Sequence, residues 1–210
     1  MKLPREKADD GCADLLDGRS RSRALRRERV YRSAIELFVA QGYERTTMGD
    51  ISSRARVARA TVFNHFQRKS AFLDEWSARR RERALGAVRA STHTDRSLSE
   101  ALRRYMSELA ADSERTRDET VALIGSAVRS KDLDGNTFLA GHIADLIRIG
   151  QADGEVRDTV APERVGLIVA ASFFAILEQW ITDPPPFDLE SELLAMVDVV
   201  LIGVGLTSVD

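Results

Sequence analysis

The sequence predicts an all-α protein with an N-terminal three-helix head, joined by a long helix to a larger C-terminal helical domain. Three observations lead to this prediction. Apolar residues recur with the helical period along most of the 210-residue chain. Residues 46–66 contain two short helical segments separated by a brief turn. The last two segments, after Pro162 and after Pro186, are apolar on more than one face.

The stretch TTMGDISSRARVARATVFNHF, residues 46–66, is predicted to form a helix-turn-helix. Thr47 suits the N-cap of the first helix, and the Asp50 carboxylate lies favourably against its dipole. After a turn at Arg56, a second helix directs Val62 inward. The outer face and N-terminal end of this second helix then have the geometry to enter a DNA major groove. They carry Arg59, Ala60, Thr61, Phe63, Asn64 and His65.

This stretch, with the helix before it and the segment QRKSAFLDEW after it, resembles the TetR family of transcriptional regulators. The matching residues, in order and spacing, are Thr46, Thr47, Ile51, Ala55, Val57, Thr61, Val62, Phe63, His65, Phe66, Lys69 and Leu73. The resemblance implies that Thr47, Thr61, His65 and Lys69 contact the DNA backbone, although His65 has packing beside Phe66 as its alternative. Arg59 is the candidate for base readout, because arginine can donate two hydrogen bonds to guanine.

Three residues depart from the family pattern. Arg56 stands where the turn often has glycine, and a positive φ there would cost about 1 to 2 kcal/mol. Ala58 replaces a serine cap, a loss of roughly 1 kcal/mol. Phe63 replaces a tyrosine whose hydroxyl usually reaches the DNA.

Composition argues against several other classes of protein. No apolar run reaches the roughly 18 residues of a membrane span, and the charged N-terminus is unlike a signal peptide, so we expect a cytoplasmic protein without a membrane partner. The single cysteine excludes an internal disulfide, and the three histidines lack metal-ligand spacing. With no phosphate loop and no GxSxG elbow, we expect no enzyme activity, cofactor or metal.

The net charge of −2 conceals a division along the chain. Residues 1–90 hold 21 Lys and Arg against 12 Asp and Glu, a net +9. Residues 91–210 hold 10 against 21, a net −11. The basic front half therefore suits a polyanion such as double-stranded DNA.

The N-terminal region leaves one question open. Residues 1–20 have no helical period and are expected to form a disordered tail. The basic run at residues 19–29 is either a solvated charge run or an arm in which Arg23 and Arg26 contact phosphates or the minor groove. The first helix is predicted from about Arg23 to Gln41.

A long helix from about Lys69 to Ala90 connects the two predicted domains, residues 21–68 for DNA binding and residues 69–210 for ligand binding and dimerisation. Movement in one domain can pass through this helix to the other. Its arginine cluster, Arg79 to Arg83, is interpreted as a solvated face.

A ligand cavity is predicted among the middle helices, because a regulator needs different affinities in two states. The candidate lining residues are Tyr105, Met106, Phe138, His142, Leu146, Phe174 and Trp180. Their mainly apolar and aromatic character favours an apolar or weakly polar effector. Ordinary core packing is the alternative for each residue. His142 is the leading candidate because its imidazole needs a hydrogen-bond partner.

The last two helices are predicted to form a homodimer interface, since a surface helix of a monomer buries a single stripe. The candidate interface residues are Val165, Val169, Phe173, Leu177, Leu193, Val197, Val200 and Leu201. The alternative is that these helices bury more core within one chain.

The favoured function is a transcriptional regulator, a ligand-released repressor that binds a palindromic operator as a homodimer. The alternative is a helical small-molecule-binding or scaffold protein that has lost DNA binding, for which Arg56, Ala58 and Phe63 are the hints. The basic head favours the regulator.

Overall fold

The computed structural model describes residues 10–90, 97–130 and 135–204, which form nine helices and contain no strand in those ranges. The all-α prediction is therefore confirmed. None of these helices is long and apolar enough to cross a membrane. The helices are α1 Asp10–Gln41, α2 Met48–Ala55, α3 Arg59–His65, α4 Ser70–Ala90, α5 Leu98–Arg115, α6 Arg117–Ser130, α7 Gly135–Ala152, α8 Pro162–Trp180 and α9 Leu189–Val204.

The head is built from α1, α2 and α3, which pack around a small aromatic core. Phe38 on α1 is fully buried, and its ring centroid lies 5.0 Å from that of Tyr43 and 6.1 Å from that of Phe72. Phe66, just after α3, stacks on Phe72 with ring centroids 4.0 Å apart. Because Phe72 belongs to α4, the start of the connecting helix is part of the core of the head.

The first helix begins at Asp10 rather than at Arg23. Residues 10–20, which were expected to be disordered, are helical, and residues 1–9 lie outside the described residues. The expectation was wrong for residues 10–20 because their leucine, alanine and arginine content favours a helix although Gly11 and Gly18 oppose it.

The helix-turn-helix has the local geometry that its sequence predicts. Thr47 is the N-cap of α2, where its hydroxyl accepts a hydrogen bond from the Asp50 amide at 3.1 Å. Arg56 has φ 53° and ψ 49°, the left-handed conformation that favours glycine. Ala58 is the N-cap of α3 and provides no side-chain hydrogen bond. These two departures from the family pattern therefore lower the local stability of the helix-turn-helix.

The C-terminal part of the chain is a bundle in which α7 and α8 make the closest contact. A Cβ atom built on Gly166 would lie 2.2 Å from the carbonyl oxygen of Ala140, so glycine allows the two backbones to approach. Helix α9 packs against α5 and α8, and α4 packs against α5. Pro162 occupies the first turn of α8, where its missing amide hydrogen is not needed.

The predicted dimer interface residues belong instead to the core of this chain. The seven that are buried are Val165, Val169, Phe173, Leu177, Leu193, Val197 and Leu201, and Val200 is partly buried. The choice was wrong because an apolar pattern on two faces does not show which face packs internally. The large apolar side chains that α8 and α9 leave exposed are Leu167, Ile168, Val199 and Ile202.

Candidate DNA-binding and effector sites

The recognition helix α3 presents one face to solvent. Val62 is fully buried, whereas Arg59, Ala60, Phe63 and Asn64 are exposed. The Arg59 guanidinium carbon lies 5.7 Å from the Phe63 ring centroid. In the part of the chain that the structure describes, no ion pair of Arg59 is formed. Its hydrogen-bond donors are therefore available to a partner outside the chain.

Basic residues of α1 lie near the C-terminal end of α3. Burial lowers the pKa of His65, and the charges of Arg23, Arg27 and Arg26 lower it further. In the free protein this lowered pKa favours the neutral imidazole of His65. Thr61 and His65 are both half-buried.

Arg23 and Arg26 are exposed on the continuous helix α1. The Arg26 Nε atom donates to the Ser22 carbonyl oxygen at 3.2 Å. These residues are thus held on a helix. Their contact with phosphates or with the minor groove remains a prediction.

Lys69 and Thr47 both have partners within the head. The Lys69 Nζ atom donates to the carbonyl oxygens of Tyr43 at 2.9 Å and Glu44 at 3.3 Å, and it lies 4.2 Å from the Tyr43 ring centroid. The Thr47 hydroxyl donates to Asp50 Oδ2 at 2.8 Å. Lys69 therefore stabilises the turn after α1, a role that the sequence prediction missed, and Thr47 remains exposed at the start of α2.

Comparison with known proteins agrees with this head. Residues 30–76, from the middle of α1 to the first turns of α4, match the family model for bacterial regulatory proteins of the tetR family. Residues 30–76 are therefore the DNA-binding head of a TetR-family transcriptional regulator. Over 51 residues it is also 49% identical to the HTH-type transcriptional regulator TcmR of Streptomyces glaucescens, which covers 23% of each chain.

Similarity extends through the rest of this TetR-family regulator. It is 23% identical over 201 residues to the probable acrEF/envCD operon repressor of Escherichia coli K12, covering 87% of this chain and 89% of that protein. Among solved structures, a TetR-family repressor FadR of Thermus thermophilus, crystallised with lauroyl-CoA, superimposes with a TM-score of 0.70 at 26% identity. That match covers 88% of this chain and 97% of FadR.

An ion-pair network joins α1 of the regulator to α4. Glu75 accepts two hydrogen bonds from Arg27, at 2.7 and 2.8 Å, and one from Arg79 Nε at 2.9 Å. Arg79 Nη2 also contacts Glu28 Oε2 at 2.7 Å. These hydrogen bonds, above all those from Arg27, lower the pKa of Glu75 to about 2. The network fixes the head on the connecting helix.

The next turn of α4 carries two arginines that the sequence prediction placed in solvent. Arg80 and Arg81 are only 5% and 7% exposed. Arg80 Nε lies 3.1 Å from Asp112 Oδ2, and Arg80 Nη1 donates to Thr120 Oγ1 at 2.9 Å. Burial lowers the pKa of Arg80 to about 10, and Asp112 opposes that shift. The prediction of a solvated face was wrong for Arg80 and Arg81, because α5 covers this side of α4, whereas Arg83 is exposed.

A cavity of about 30 Å³ lies beside these arginines. Its lining residues are Trp76, Ser77, Arg80, Arg81, Leu109, Ile124, Leu139, Phe173, Phe174 and Leu177. Phe174 is therefore the single member of the predicted ligand set that lines it. The volume corresponds to about one water molecule, so a larger ligand requires the surrounding side chains to move.

The other predicted ligand residues do not line this cavity, and they differ in exposure. Tyr105 and Met106 are fully buried, Trp180 is 4% exposed, and Phe138 is 56% exposed. His142 and Leu146 are partly buried. The Tyr105 hydroxyl lies 3.1 Å from His142 Nδ1, so the partner that His142 was expected to find in a ligand is present within the chain.

A second, open groove of about 570 Å³ runs between the head and the bundle. Its walls include Phe38 and Val39 of α1 and Val121 of α6, and Arg117 and Asp183 lie along it. The head and the bundle therefore face each other across this groove.

Proposed function

We propose that this regulator is a cytoplasmic, ligand-released repressor that binds a palindromic operator as a homodimer. Residues 21–68 would read DNA, and residues 69–210 would bind the effector and the second chain. The observation that carries the proposal is the exposed face of α3, on which Arg59 has no ion pair among the described residues. The arginines of α1 near the end of α3 add positive charge for phosphates.

Fluorescence anisotropy with labelled DNA from the region upstream of the gene tests operator binding. Arg59→Ala is expected to lower the preference for this DNA over a scrambled sequence roughly 5- to 150-fold, because a bidentate guanine contact gives about 1 to 3 kcal/mol of discrimination. Arg104→Ala is the matched control, since Arg104 is exposed on α5 away from the head. Unchanged preference in Arg59→Ala would show that another residue reads the base.

Homodimerisation is supported by the apolar side chains that α8 and α9 leave exposed. Leu167 and Ile168 are 57% and 59% exposed on α8, and Val199 and Ile202 are 72% and 81% exposed on α9. A second chain with the same face would cover them, and two heads about 34 to 36 Å apart, or a multiple of that distance, would match successive turns of a palindrome. Ile202→Glu is expected to give a folded monomer in sedimentation velocity. A dimer that persists in this variant at micromolar concentration would place the interface elsewhere.

Ligand release is supported by the position of α4. One side of this helix holds the head through Glu75, and the following turn lines the cavity with Arg80 and Arg81. A ligand that opens the cavity therefore displaces the helix that carries the head. The lauroyl-CoA in the Thermus FadR structure supports a small-molecule effector with a large apolar part.

A further inference from the structure

We propose that the cavity beside α4 binds a small apolar carboxylate whose anionic head pairs with Arg81. This ligand would be the effector that releases the repressor from DNA, so its regulatory role rests on the proposed function. It also changes the expectation of an apolar or weakly polar ligand, since the polar group of this site is a buried cation.

Arg81 is buried without a counterion. It is 7% exposed, and its Nε atom is buried with no hydrogen-bond partner. Its guanidinium carbon lies 5.3 Å from the centroid of the Phe138 ring. Tyr105, Glu82 and Asp74 act on its charge only at longer range. A buried cation without a pair is costly unless a bound anion completes it.

The neighbouring charges do not supply that anion. Asp112 is already shared by three arginines, namely Arg80, Arg83 and Arg115. Glu119, the next carboxylate near Arg80, accepts the indole N–H of Trp76 at 2.9 Å. Of the two buried arginines, Arg80 therefore has a share of Asp112, and Arg81 is the one without a paired carboxylate.

The rest of the cavity wall is apolar, which distinguishes the expected ligand from a free inorganic anion. The apolar lining side chains are Leu109, Ile124, Leu139, Phe173, Phe174 and Leu177. Phe174 is half-buried and Phe138 is exposed, so these two rings can move with little loss of core packing. An apolar tail would occupy the space that they vacate. A carboxylate head would accept parallel hydrogen bonds from the planar guanidinium group.

Isothermal titration calorimetry with octanoate and its neutral isostere octanamide tests the site, and the fluorescence of Trp76, which lines the cavity, gives a second readout. Octanoate is expected to bind the wild-type protein at least ten times more tightly than octanamide. Arg81→Met should lose about ten- to hundred-fold of the octanoate affinity, because a hydrogen bond to a charged group is removed. Equal binding of the two probes, or no octanoate binding at 1 mM, would overturn the proposal.

Two further variants separate loss of the site from loss of the fold. Arg104→Gln removes one exposed positive charge on α5 and should bind octanoate like the wild type. Arg81→Lys keeps the charge without the planar fork and should bind between the wild type and Arg81→Met. The melting temperature of ligand-free Arg81→Met should equal or exceed that of the wild type, because methionine removes an unsatisfied buried donor. Full octanoate affinity in either Arg81 variant would contradict the assignment.

Operator binding is measured in the same samples, so that the two proposals fail in different ways. Octanoate binding that depends on Arg81 but leaves the DNA complex intact would support the carboxylate site and count against ligand release. DNA release by octanoate that persists in Arg81→Met would support ligand release and overturn the Arg81 site.

Discussion

Removing the Glu75 carboxylate should weaken the junction between the head and the connecting helix. In Glu75→Gln, Arg27 and Arg79 lose a shared carboxylate that they contact at 2.7 to 2.9 Å, and one neutral amide oxygen remains to accept a hydrogen bond. Arg79 retains the carboxylate of Glu28, whereas Arg27 loses its paired carboxylate and keeps its position over the Phe66 ring, 4.7 Å from the centroid. The substitution preserves size, so the effect reports the charge.

The size of the effect follows from the pKa of Glu75. A change from 4.5 to about 2 corresponds to roughly 3 kcal/mol in favour of the ionised folded state. Because solvent reaches part of the network, we expect about 1 to 2 kcal/mol. A lowered pKa gives stability that is complete above about pH 4.5 and is lost as pH falls toward 2.

Urea unfolding at fixed protein concentration measures the change at pH 7 and at pH 3. With an m-value of about 2 to 3 kcal/mol/M, the midpoint of Glu75→Gln at pH 7 should be lower by about 0.5 M. The difference between wild type and variant should shrink at pH 3. Glu36→Gln is the control, since the Glu36–Arg54 pair is 54% exposed on both sides and should contribute less than about 1 kcal/mol.

Equal urea midpoints for wild type and Glu75→Gln at pH 7 would refute this account of the junction. So would a difference that stays the same at pH 3, because it would then arise from shape rather than from charge.

Two further substitutions test the backbone. Arg56→Gly should stabilise the protein by about 1 kcal/mol and raise Tm by about 2 to 4 °C, because glycine adopts φ 53° without strain. An unchanged Tm in calorimetry would show that the Arg56 backbone is not strained. Gly166→Ala should lower Tm by more than about 4 °C, because the added Cβ would lie 2.2 Å from the Ala140 carbonyl oxygen. Gly86→Ala is the control and should not lower Tm, because a Cβ at Gly86 would have nothing within 4 Å. Similar Tm values for these two alanine variants would contradict the close approach of α7 and α8.

The sequence alone predicted the structure of the head, because the signals that specify it are local. The Thr47 cap, the turn at Arg56 and the uncapped start at Ala58 each depend on residues within about four positions, and all three are present in the structure. The helix-turn-helix and the family pattern follow from that short-range chemistry. The contacts made by the individual DNA-facing residues remain predictions.

Which faces of the C-terminal helices are buried could be read only from the tertiary structure. Periodicity showed that α8 and α9 are apolar on two faces, but only packing decided that Phe173 and Val197 are internal while Ile202 is exposed. The arginines of α4 show the same limit. Their charge predicts that these side chains are exposed to solvent. Instead, α5 brings Asp112 against Arg80 and leaves Arg81 buried without a carboxylate. A side chain's local pattern sets its preference, but whether it is buried depends on which distant helix lies over it.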